Sequence, residues 1–133
     1  RSSDLKKNIV DICMRELLTP KGLRSLSPKS EGFTPVCAGD NNYRTRIYHQ
    51  GTAWPWLGGF YLEACMKLYK RTRLSFIERQ LVGYEDETIT HCLGTIPEYF
   101  DGNPPYKGRG AISFAMNVAG ILRTLALLEK YKY

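Results

Sequence analysis

The sequence is poor in the residues that carry metal, redox or membrane chemistry. Histidine occurs twice, at His49 and His91, and neither has a cysteine or acid at ligand spacing, so no zinc site is expected. His91, inside an apparent helix, reads as structural. The four cysteines, Cys13, Cys37, Cys65 and Cys92, form no C-x-x-C pair. They are expected as small buried residues in a reducing, cytoplasmic compartment, without disulfides. No apolar run approaches the roughly 20 residues that span a membrane, and the opening RSSDLKKN lacks the apolar region of a signal peptide. There is no G-x-S-x-G for a nucleophilic triad. The Gly58-Gly59-Phe60 step lacks the Lys-Ser/Thr sequel of a phosphate loop, so neither cofactor nor metal is expected. Internal repeats and low-complexity tracts are also absent. Positive charge, net +6, clusters only in KLYKRTR (67–73). Those cations fall where a helix should end and complement its carbonyl dipole, so nucleic acid is not an expected partner.

What is present is enough for one domain: 133 residues, 43% of them apolar. Residues 3–18 carry apolar side chains at Leu5, Ile9, Ile12, Cys13 and Leu17, the stripe of an amphipathic helix. Ser3 is its expected N-cap and Pro20-Lys21-Gly22 its stop. Residues 19–52 run long without periodicity, with enough large apolar groups for a packed, functional loop. A second helix is expected over 53–71, apolar on most sides. A third follows over about 76–92, capped by Ser75, with Glu78, Arg79, Glu85, Asp86 and Glu87 facing out. GTIPEYF, a short extended piece, and the turn-rich DGNPPYKGRG (101–110) then lead to a last helix over 111–131. Four helices and two long loops, outer amphipathic helices alternating with inner apolar ones, predict an all-α chain forming part of an α/α toroid. Four helices are too few to close such a ring. Residues 1–133 are therefore expected to be its C-terminal portion, incomplete without upstream helices of the same polypeptide. An open side would expose apolar surface and favour self-association.

The groups suited to chemistry lie in the loops. YHQGTAWPW (48–56) crowds Tyr48, His49, Gln50, Trp54 and Trp56 at a loop-to-helix junction. An indole face at Trp54 would stack on the apolar face of a sugar ring, while His49 and Gln50 offer donors and acceptors for hydroxyl groups. Trp56 reads equally as core. Glu98, stiffened by Pro97 and flanked by Tyr99 and Phe100, is the candidate acid or base. Asp101, before Gly102, reads as a residue that shapes a turn.

GLRSLSP (22–28), the Tyr48–Trp56 string and GTIPEYFDGNPPYKGRG, in that order, resemble the C-terminal glucosidase domain of glycogen debranching enzymes, the amylo-α-1,6-glucosidases. The family carries Gly-x-x-Ser/Thr-Leu-x-Pro, Tyr-His-Gln-Gly-x-x-Trp-x-Trp and a late Pro-Glu segment. The resemblance implies hydrolysis of α-1,6-linked glucosyl stubs on glycogen or limit dextrin by an α/α toroid. It implies Glu98 as general base, with Tyr48, His49, Gln50, Trp54 and Trp56 lining the glucose pocket. The family's general acid, an aspartate beside a tryptophan, has no counterpart in the chain, so the chain alone should be inactive. One departure stands out: Phe114-Ala115-Met116 replaces the usual Gln-Ala-Trp. That keeps two alternatives open, a non-catalytic carbohydrate-binding remnant and a related toroid glycosidase acting on another α-glucoside.

Overall fold

The computed structural model describes residues 1–90 and 92–133; His91, read above as structural, lies outside the described residues. The chain is not all-α. Helices α1 (Ser2–Glu16), α2 (Asn41–Ile47), α3 (Pro55–Tyr69), α4 (Leu74–Val82), α5 (Glu85–Thr90) and α6 (Ala115–Lys132) accompany five strands. These are β1 (Leu18–Thr19), β2 (Gly22–Arg24), β3 (Ala53–Trp54), β4 (Tyr99–Phe100) and β5 (Gly108–Arg109), hydrogen-bonded in sequence order as one antiparallel sheet. This overturns the all-α toroid expected from the sequence. The strands are two or three residues long, too short for a polar–apolar alternation to register. β1 begins at the end of the expected first helix, β2 lies in the long loop, β3 replaces the start of the expected second helix, β4 lies in the extended GTIPEYF piece and β5 in the turn-rich run.

The sheet is what makes those loops one structure. Leu23 pairs with Trp54, Ala53 with Phe100, and Phe100 with Gly108, so segments far apart in the chain lie side by side. Gly22 is required at its turn: its φ is +111°, and a Cβ there would stand 2.3 Å from the Trp54 carbonyl oxygen. Lys21, in the β1–β2 turn, pairs with Glu87 of α5 at 2.9 Å and donates to the Gly83 carbonyl. It also lies over the Phe100 ring, 5.6 Å from its centroid.

Helical expectations need adjustment in detail. Trp54 belongs to β3, and α3 starts at Pro55, whose fixed φ and missing N–H suit the first helical position. The expected third helix is two, α4 and α5, broken around Gly83, and Ser75 lies inside α4 rather than capping it. The last helix begins only at Ala115. Ser3 likewise lies within α1, whose N-cap is Arg1. The α1 stripe does not face the core: Leu5, Ile9 and Ile12 are 62%, 52% and 50% exposed, and Val10 is the buried residue. The basic run forms the last residues of α3 and a 3₁₀ turn, Lys70–Arg73, where the Arg71 guanidinium donates to the Lys132 carbonyl at 3.0 Å.

The main core gathers Val10, Tyr61, Leu62, Cys65, Met66, Ile77, Leu81 and Leu128 from four helices. Its axis is the α3–α6 crossing, which glycine makes close. A Cβ on Gly59 would reach Thr124 Oγ1 at 3.0 Å, and one on Gly120 would reach the Trp56 Cα at 3.1 Å. An ion pair fastens the rim of this crossing. Glu63 of α3 accepts from Arg123 of α6 at 2.5 Å and pairs with Lys67 at 2.8 Å.

Arg123 first, then Lys67, hold the Glu63 carboxyl well below the usual range, at about 2. An acid depressed in the fold stabilises it above its unfolded value of about 4.5, and that contribution is lost as pH falls through about 2. Glu63→Gln should therefore lower the melting temperature at about pH 7, and the gap to wild type should close between about pH 5 and pH 2. Thermal melts across that range check it.

Candidate active site around Glu98

Glu98 stands immediately before β4, half-buried, on backbone that three separate contacts hold. Its N–H donates to the Ala111 carbonyl at 2.9 Å. The Asn117 side-chain amide donates both to its carbonyl and to that of Pro97, each at 2.7 Å. Asn117 is fully buried on α6 and also accepts from the Trp56 N–H at 3.1 Å. One side chain thus ties the Pro97–Glu98 backbone to the first turn of α3, where a helix N–H otherwise lacks an internal partner.

The carboxylate is gripped as firmly as the backbone. The Tyr48 hydroxyl donates to Oε1 and the Ala111 N–H donates to Oε2 at 2.8 Å. Gly110, with φ at +76°, makes that second approach feasible, since a Cβ would stand 2.5 Å from Oε2. Tyr48 itself is desolvated and bonded to a carboxylate, and both effects, burial first, raise its pKa. It stays a neutral donor.

Behind Glu98 lies an aromatic cluster. Tyr48 meets Trp54 at 5.0 Å and Tyr99 at 5.4 Å between ring centroids, both edge-on. Trp54 is 3% exposed, and its indole N–H donates to Thr52 Oγ1 at 2.9 Å. In this chain it is therefore a wall, with no open face for stacking. His49 is exposed and leans on Tyr48 and Trp54 at 4.6 and 5.4 Å. Gln50 is half-buried in the turn after α2, its carbonyl accepting from the Thr34 N–H at 2.6 Å. Trp56 packs at the margin of the cluster and meets Phe60 edge-on at 6.2 Å. Glu98, Tyr48 and Trp54 thus form one contiguous group with His49 beside it, while Gln50 and Trp56 flank it. The residues at the family departure divide: Phe114 joins the cluster at 6.5 Å from Trp54, and Met116, half exposed, lines a groove with Trp56 and Gly120.

Asp101, 3% exposed, commits both oxygens to Arg109, at 2.5 Å to Nε and 3.1 Å to Nη2. This fork closes the β4–β5 hairpin that carries Glu98. Tyr99 and Gly110, the neighbours of Glu98, also line a cleft of about 360 Å³ with Arg44, Lys107, Arg109 and Ile112. A larger concavity, about 590 Å³, lies among α4, α5 and α6 and contains none of these groups. It is a largely apolar groove with Glu78, Glu85, Glu129 and Lys132 on its lining. Among the described residues no three His, Cys, Asp or Glu side chains gather as metal ligands. Sequence reasoning missed Asn117 and Arg109. A lone asparagine in an apolar helix was the available signal for the first; nothing local marked the second.

The sequence model of the family described as amylo-alpha-1,6-glucosidase matches residues 2–123. No curated protein matches the chain.

Asn117→Ala should cost about 3 kcal/mol, because it leaves buried carbonyl and N–H groups without partners. Chemical denaturation measures that loss.

Proposed function

The chain belongs to the amylo-alpha-1,6-glucosidase family, and from that premise we propose that Glu98 is the general base of an inverting α-1,6-glucosidase acting on the branch stubs of glycogen or limit dextrin. The observation that carries this reading is the grip on Glu98. A half-buried carboxylate with both oxygens hydrogen-bonded, set against an aromatic cluster, is oriented in the way base catalysis requires. Inverting hydrolysis uses two carboxyls about 6.5–9.5 Å apart. Here Glu98 takes a proton from water as the water oxygen bonds to the anomeric carbon. The glycosidic C–O bond breaks, and an acid delivers a proton to the departing oxygen.

Asp101 is a poor candidate for that acid, because Arg109 holds both its oxygens. The acid comes from outside residues 1–133. His49, exposed beside the cluster, and Gln50 contact glucose hydroxyls. Trp54 and Trp56 support the pocket wall. A second reading, a carbohydrate-binding remnant without catalysis, rests on Met116 standing where the family usually has tryptophan. Glucose release from phosphorylase-limit dextrin by the longer polypeptide separates the two. In the catalytic case wild type releases glucose and Glu98→Gln loses about 10³-fold or more while still binding glycogen. Equal rates in both would remove Glu98 from the mechanism.

Upstream helices of that polypeptide cover the exposed Leu5–Ile9–Ile12 face of α1. Residues 1–133 alone should therefore release no glucose and should self-associate. Light scattering on the eluting protein, with Ile9→Lys alongside, tests the second point: the variant should shift toward monomer.

A further inference from the structure

Tyr48 is read above as a wall of the glucose pocket, yet its hydroxyl is already spent on Glu98 Oε1. The residues behind it form a hydrogen-bonded chain that ends on the Tyr48 backbone and so fixes where its ring stands. The Trp54 indole N–H donates to Thr52 Oγ1 at 2.9 Å, and the Thr52 hydroxyl donates onward to the Tyr48 carbonyl at 2.7 Å. Thr52 is fully buried. Ser25, beside β2, holds the same turn from the other side, donating to the Thr52 carbonyl at 3.1 Å and accepting from the Gly51 N–H at 2.9 Å.

We infer that Tyr48, set by Thr52 and Trp54, is the positioning residue for Glu98. Its phenol holds one carboxylate oxygen in place so that the other lone pairs face the attacking water. The inference rests on Glu98 being the base. It assigns three residues of the 48–56 string to orientation of the base rather than to sugar contact. The geometry supports that division: Trp54 presents no open face, while His49, which lies outside the chain of hydrogen bonds, is the exposed neighbour. The effect should be large for so small a change. A misplacement of about 1 Å in a reacting group costs on the order of 10²-fold in rate, and removing one hydroxyl from this chain frees Oε1 to rotate.

The test uses the longer polypeptide with Tyr48→Phe, Thr52→Val, Thr52→Ser and Glu98→Gln, assayed for glucose release across substrate concentrations. Tyr48→Phe should lower kcat about 10²-fold with KM and glycogen binding unchanged. Thr52→Val should lower kcat in the same direction by less, and Thr52→Ser, which keeps the hydroxyl, should restore it. A raised KM with intact kcat in Tyr48→Phe would make Tyr48 a sugar contact and overturn the inference. Wild-type kinetics in Tyr48→Phe beside an inactive Glu98→Gln would overturn it too while leaving the base reading standing. Full activity in Glu98→Gln would instead sink the base reading itself. If Tyr48→Phe fails to fold, the Thr52 pair decides: equal kcat in the valine and serine variants overturns the inference, and loss confined to valine upholds it.

Discussion

A single buried amide ties the Glu98 segment to the start of α3. Asn117 sits on α6, the helix that crosses α3 closely, and spends its donor hydrogens on the Pro97 and Glu98 carbonyls and its oxygen on the Trp56 N–H. The Glu98 carbonyl could not otherwise sit beside the first turn of α3 without leaving polar groups unpaired in an apolar setting, where each costs on the order of 1–3 kcal/mol. A fully satisfied polar residue in a core both stabilises and selects one arrangement. The α3–α6 crossing around it is close because Gly59 and Gly120 carry no side chain at the contact.

From that anchor the sheet extends the constraint outward. Its strands are too short to be stable by themselves, since two-residue ladders supply few hydrogen bonds. They persist because their ends are pinned by side chains: Arg24 donates to the Gly102 carbonyl at 2.7 Å, Arg109 forks onto Asp101, and Lys21 reaches Glu87. Close backbone approaches complete the arrangement. A Cβ on Gly102 would stand 1.8 Å from the Gly51 oxygen, so the turn before β3 and the hairpin after β4 touch through their main chains. The aromatic segment and the carboxylate segment are held to one another by backbone contacts as well as by side chains.

How much of this was legible in the sequence depends on the range of the interaction. Helices with local periodicity were found, α1, α3 and α6 among them, because apolar spacing along one element is a local property. Their orientation was not, as Leu5 and Ile9 illustrate: a stripe says that a helix has an apolar face, not which neighbour covers it. The sheet was missed because its pairing joins residues such as Ala53 and Phe100, and no two-residue strand carries a period. At the site, side-chain type and motif order pointed to Glu98 and Tyr48, and the two lie in direct hydrogen-bond contact. The burial of Trp54 was beyond reach, since an indole's exposure is decided by what folds over it.

The arrangement also shows what an extended segment offers Glu98 that a helix would not. A helix would fix the backbone of Glu98 but would spend its N–H and C=O inside the helix. The extended segment leaves both groups free to bind elsewhere, and here they reach Ala111 and Asn117. The next residues of the returning strand then supply a second N–H, from Ala111, to the carboxylate itself. Backbone and side chain of one residue are thus held by the same short return loop, and Gly110 is the residue that lets the loop come close enough. Positioning of this kind needs a support on the far side to keep the carboxylate from swinging out of the hairpin. That support is the ring of Tyr48, braced edge-on by Trp54 and Tyr99. The crowded 48–56 string thus faces the carboxylate directly: Tyr48 reaches Glu98 through its hydroxyl, and Trp54 and Tyr99 hold its ring from behind.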